Sequence, residues 1–138
     1  MVLCDTGPIV AILERRDAAH AKCVTALDSF AGPLCTTWLC VTEAMHLLHR
    51  ESGWLGQKLL WDVIQRGDLI VDRLDDIMDE RIMNDQMAAY QDFPMDVADA
   101  SLVVLADRLG TRRIFTIDTH FYAFRALDGS PFDVVPGR

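Results

Sequence analysis

The sequence predicts an α/β fold, a three-layer α/β/α sandwich around a mainly parallel central sheet of about five strands. Three observations carry that prediction. Short apolar runs alternate with segments of helical periodicity along the chain, the order that builds parallel sheets. Gly and Pro fall singly between those segments, with no linker, internal repeat or low-complexity tract. The chain has 138 residues, 51% of them hydrophobic, so residues 1–138 are read as a single domain able to bury one sizeable core.

Taken in order, Val2-Leu3-Cys4 is the first strand and stops at Asp5-Thr6-Gly7-Pro8. Thr6 can cap, and Pro8 can occupy the first turn, of a helix carrying Ile9, Ile12 and Leu13. A second helix is expected over Asp17 to Phe30, and Leu34 to Thr37 is the second strand. Trp38 to Arg50 has apolar residues at helical spacing. Gly53 breaks that pattern, and Trp54 to Arg66 resumes it up to Gly67. Asp68 to Asp72 is a third strand and Asp75 to Tyr90 a further helix. Asp96 to Leu109, stopped by Gly110, is the clearest helix of all. Arg113 to Ile117 is a strand ending at Asp118, and Phe132 to Pro136 a last one.

Composition removes several function classes. The hydrophobic content excludes intrinsic disorder. No apolar run reaches the roughly 18 residues of a membrane span, so no membrane association is expected. The first residues are interrupted at once by Asp5, so no secretory signal is expected. Cys4, Cys23, Cys35 and Cys40 form no C-x-x-C pair and read as reduced thiols of a cytoplasmic protein. Lys plus Arg is 13 against 21 Asp plus Glu, a net charge of −8. That balance argues against coating nucleic acid with bulk positive charge. It leaves room for a local basic rim and metal ions.

The informative residues are acids in awkward places. Asp5 and Asp118 each follow a strand, where open α/β sheets bind ligands. Glu43 lies within an apolar helix, and a buried unpaired carboxylate is costly. Asp99 opens another apolar helix, three residues after Asp96 and on nearly the same face. Each has a plain alternative: turn former for Asp5 and Asp118, N-cap for Asp96, first-turn acid for Asp99, solvated or Arg-paired stripe for Glu43. Together they suggest a carboxylate cluster, which survives by protonation or by holding divalent cations. An all-oxygen set suits Mg2+ or Mn2+, and such ions can activate water against a phosphodiester.

Other motifs compete less well. Asp5-Thr6-Gly7 matches the triplet of aspartic proteases, which are β-rich. A phosphorelay receiver would want a late strand-end Lys, and the only lysines are Lys22 and Lys58. Glu43-x-x-His46 has no second copy to complete a di-iron site. His46 and His49 then read as ordinary helix residues, and Trp38, Trp54 and Trp61 as packing for the core or a dimer interface.

Val2-Leu3-Cys4-Asp5-Thr6-Gly7, Thr36-Thr37-Trp38 leading to Thr42-Glu43-Ala44, Pro94-Met95-Asp96-Val97-Ala98-Asp99-Ala100-Ser101 and Phe115-Thr116-Ile117-Asp118-Thr119-His120-Phe121 stand in one order over nearly the whole chain. In that order and spacing the sequence resembles the PIN-domain ribonucleases, specifically the VapC toxin subunits of VapBC-type toxin–antitoxin pairs. The resemblance implies a catalytic, metal-binding quartet of Asp5, Glu43, Asp99 and Asp118, with Asp96 a possible fifth ligand. It implies Mg2+ or Mn2+, a single-stranded or looped RNA substrate, a homodimer and a cognate antitoxin. Asp5, Asp99 and Asp118 would hold a first ion, while Glu43 would bind a second or orient the attacking water. Thr6 and Thr116 match polar positions that can hold water at such a site. Arg112, Arg113 and Arg125, which flank Asp118, are candidates for the RNA backbone, as are Arg15 and Arg16. The alternative function is a catalytically weak binding module of the same fold, acting through its antitoxin or another protein partner.

Overall fold

A computed structural model describes residues 1–137. Five strands form one sheet: β1 (Val2–Cys4), β2 (Leu34–Thr37), β3 (Leu69–Asp72), β4 (Arg113–Phe115) and β5 (Asp133–Val135). Their order is β3-β2-β1-β4-β5, and every pair is parallel. The helices are α1 (Thr6–Leu13), α2 (His20–Leu27), α3 (Trp38–Gln65), α4 (Ile77–Ala89) and α5 (Val97–Leu109). A short 3-10 helix covers Thr119–Tyr122.

Side-chain alternation along the strands explains the three layers. Successive strand residues face opposite sides of a sheet. Val2, Cys4, Leu34, Leu69 and Phe115 enter one core, with α1, α2 and α3. Leu3, Cys35 and Ile114 enter the other, with α4, α5 and the 3-10 segment. The central strands are therefore buried on both faces, which is why they read as unbroken apolar runs. All four cysteines are free and buried within these layers. No helix among the described residues is long and apolar enough to cross a membrane.

Most expected boundaries contract by one to three residues. Asp17 and Asp96 lie outside their helices because their side chains accept backbone N–H groups at the start of the segment. The cap of α1 is Asp5, whose carboxylate accepts from the Thr6 N–H at 2.8 Å, rather than Thr6. Gly53 breaks α3 as expected, at φ 61° and ψ −146°, a conformation only glycine adopts easily. Trp54 is 60% exposed rather than a core residue, while Trp38 packs against Trp61.

The topology defines one special edge. From β1 the chain builds outward through β2 to β3, then crosses back to β4 and β5. The order reverses between β1 and β4, so their carboxyl ends flank the switch point where α/β sheets open a crevice. Asp5 leaves β1 there, tied by its N–H to the Phe115 carbonyl at 3.0 Å.

Candidate metal centre

Three chain segments bring acids to that crevice. Asp5 comes from the end of β1, Asp99 from the first turn of α5, and Asp118 from the turn after β4. One carboxylate oxygen from each lies within 4.8 Å of the other two. They open into a cavity of about 310 Å³ lined also by Thr6, Gly7, Glu43, Leu47, Asp96 and Ile117.

Each acid is held from below. Asp5 accepts from the Thr6 N–H and from the Thr116 hydroxyl, both at 2.8 Å. That hydroxyl also accepts from the Asp118 N–H at 3.0 Å, so Thr116 bridges two of the three acids. Asp118 accepts from the His120 N–H at 2.9 Å, and His120 Nδ1 stands 3.3 Å from the same carboxylate. Asp96 and Asp99 form a reciprocal capping box: each carboxylate accepts the other's backbone N–H, at 2.8 and 3.1 Å. Gly7 is needed for closeness, because a Cβ there would stand 2.8 Å from the Ile117 side chain.

Among the described residues no Lys or Arg pairs with Asp5, Asp99, Asp118 or Glu43. The electrostatic consequence is large. Burial pushes Asp5 up to about 6, against the pull of the Thr116 and Thr6 hydrogen bonds, and the charges of Asp118 and Glu43 push it further. Burial likewise lifts Asp99 to about 8, with the Asp96 charge next in weight. Asp5 and Asp99 therefore keep their protons to higher pH than ordinary carboxyls do.

The residues suit a divalent cation. The donors are all oxygen, they are fixed by backbone hydrogen bonds, and no Lys or Arg among the described residues offsets their mutual repulsion. Oxygens around one Mg2+ stand about 3 to 4 Å apart, within reach of small carboxyl rotations here. Glu43 is exposed on α3 at the cavity rim, outside the tight trio. Asp96 is exposed, lines the cavity and is also the N-cap of α5, so both of its expected roles fit one geometry.

The expected arginines are elsewhere. Arg113 opens β4 at the opposite end of the strand, 3.6 Å from Asp133 and stacked over Phe30. Arg112 is engaged by Asp128, Ser130 and two carbonyls. Arg125 folds back on the carbonyls of residues 122–124. None lines the cavity. Arg16 pairs with Glu14 and the Glu51 carbonyl. Sequence reasoning missed Arg50. At 100° per residue, Glu43, Leu47 and Arg50 share one stripe of α3, and the first two line the cavity. Arg50 is exposed and has no ion pair among the described residues, as is Arg15.

The chain is similar to several known proteins. A curated relative, ribonuclease VapC26 of Mycobacterium tuberculosis, is 28% identical over 144 residues, spanning 98% of this chain and 100% of that one. The solved structure of M. tuberculosis VapC20, a sarcin-ricin loop cleaving toxin, superposes with a TM-score of 0.81 at 16% identity, over 89% of this chain and 94% of that one. FitAcB from Neisseria gonorrhoeae gives 0.61 at 20% identity, over 96% and 97%. The VapBC2 complex from Rickettsia felis, bound to a promoter DNA fragment, gives 0.66 at 9% identity, over 97% and 98%. The PIN domain model matches residues 2–127, a span that contains all the cavity-lining acids, and the chain therefore belongs to the PIN domain family.

Proposed function

We propose that this protein is a divalent-metal-dependent endoribonuclease and the toxin of a type II toxin–antitoxin pair of the VapBC kind. The observation that carries the reading is the convergence of Asp5, Asp99 and Asp118 oxygens within 4.8 Å. Support for RNA as substrate comes from the ribonuclease relative. Support for an antitoxin comes from similarity to toxin–antitoxin complexes, including one from Klebsiella pneumoniae with a TM-score of 0.63.

Asp5, Asp99 and Asp118 would hold Mg2+ or Mn2+, with Asp96 and Glu43 at the rim. Bound there, the ion supplies a Lewis acid for a phosphodiester and lowers the pKa of water. The chain's own residues do the positioning. Thr116 ties the Asp5 carboxyl to the Asp118 backbone. The capping box orients Asp99. Glu43 stands where it can accept a proton from an attacking water. Thr6 lines the cavity, gives its N–H to Asp5 and donates its hydroxyl to the Cys40 carbonyl at 3.4 Å. Arg50, on the Glu43 stripe of α3 and without an ion pair among the described residues, would be a cation for the RNA backbone.

The protein would act in the cytoplasm as a homodimer restrained by its antitoxin. Trp54 and Leu55, 60% and 73% exposed on the second half of α3, favour a molecule with protein partners. The test is RNA cleavage mapping with wild type and Asp5→Asn. The reading expects discrete cuts with Mg2+ or Mn2+, none with EDTA and none with the variant. Cuts that persist in both controls would overturn it.

A further inference from the structure

The loop joining α4 to α5 ends beside the cavity, and Phe93 lies on it, three residues before Asp96. Its ring is 41% exposed. It is nevertheless fixed. It meets His120 edge to face at 4.8 Å between centroids and Phe124 at 5.9 Å. Phe124 is fully buried and packs in turn on Tyr90 and Phe121. His120 stands 3.3 Å from the Asp118 carboxylate. An anchored aromatic surface therefore begins one ring away from the acid cluster. The core does not require its exposure, since Phe121, Phe124 and Phe132 already fill that layer.

Single-stranded nucleic acid is commonly held by stacking bases on such rings, and every base offers a face for it. A base in a duplex already has both faces covered. We infer that Phe93, steadied by His120, is a stacking platform for an unpaired nucleobase beside the scissile phosphodiester. The inference rests on the ribonuclease reading and names a residue that holds the substrate beside the acids. Phe93 is a binding residue here, and the ring of His120 positions it.

The test uses a short single-stranded RNA carrying a mapped cleavage site, and a series in which one nucleotide near that site is abasic. Phe93→Ala should raise KM about five- to a hundredfold with kcat within about twofold, the range of one lost stacking contact. One abasic position should raise the wild-type KM by a similar factor and leave Phe93→Ala unaffected, because both changes remove the same contact. Phe93→Leu, which keeps apolar packing, should behave as Phe93→Ala, and Phe93→Trp should restore the wild-type KM. Unchanged KM in the Leu and Ala variants, or abasic effects that add to theirs at every position, overturns the platform while wild-type cleavage keeps the nuclease reading intact. A wild-type protein that cleaves no RNA with Mg2+ overturns both.

Discussion

Asp5 and Glu14 are each 7% exposed, but Asp5 lies deep and Glu14 close beneath the surface, and they behave in opposite ways. Glu14 accepts from the Arg16 backbone and guanidinium at 3.2 and 2.9 Å, and from the Ser52 hydroxyl. Those partners hold it down at about 2, with the Arg16 side chain the largest cause. Asp5 has hydrogen bonds too, but its charged neighbours are Asp118 and Glu43, and burial lifts it to about 6. Low exposure alone says nothing about use. A carboxylate with an arginine and a hydroxyl is a brace, here joining the end of α1 to the bend in α3. Carboxylates with no lysine or arginine beside them repel one another, and a divalent cation would relieve that repulsion.

The contrast is broken most forcefully by removing the acids. Asp5→Asn with Asp99→Asn should lower RNA cleavage at least about a thousandfold, as groups acting as a unit do, while circular dichroism and melting show a folded protein. Residual turnover near wild type would place the chemistry elsewhere. A gentler probe is Thr116→Val, which removes the hydroxyl bridging Asp5 and Asp118. Supporting contacts of this kind are worth about 10- to 100-fold in metal affinity, and Mn2+ titration should show that loss.

The two regions should also separate by pH. Folding raises Asp5 and Asp99 above their ordinary value of 3.8, to about 6 and 8. Between those limits the native state binds more protons than the unfolded chain, so stability falls as pH rises. Without metal, the melting temperature should drop by several degrees from pH 5 to pH 8. Millimolar Mg2+ should restore it at pH 8 by mass action, and Asp5→Asn with Asp99→Asn should flatten the profile. Glu14 has the reverse sign. Its stabilisation is present above its ordinary value of 4.5 and is lost as pH falls toward about 2. The smallest expected effect is therefore Glu14→Gln at neutral pH: a melting temperature lower by a few degrees, with kcat and Mn2+ affinity unchanged. Altered metal affinity in that variant would show that the brace and the cluster are not independent.

Much of this was readable before any coordinates. Strand and helix alternation foretold the layers, and acids at strand ends foretold the cluster. Asp5, Asp99 and Asp118 meet because β1 and β4 are neighbours at the switch point, a fact of strand order that periodicity does not encode. Sequence nearness misled for the arginines. Arg113 and Asp118 are five residues apart, but an extended chain rises about 3.3 Å per residue, which carries them to opposite ends of β4. Thr116 was noticed as a polar position, whereas its double bridge depends on two backbones meeting. Arg50 was overlooked because its link to Glu43 is a helical stripe, visible once Glu43 is known to face the cavity.

The most direct measurement is calorimetric titration of Mn2+ into metal-free protein at pH 8, comparing wild type, Glu14→Gln, and Asp5→Asn with Asp99→Asn. The account predicts equal binding by wild type and Glu14→Gln, and no saturable binding by the double variant. Binding of equal strength by all three would contradict it.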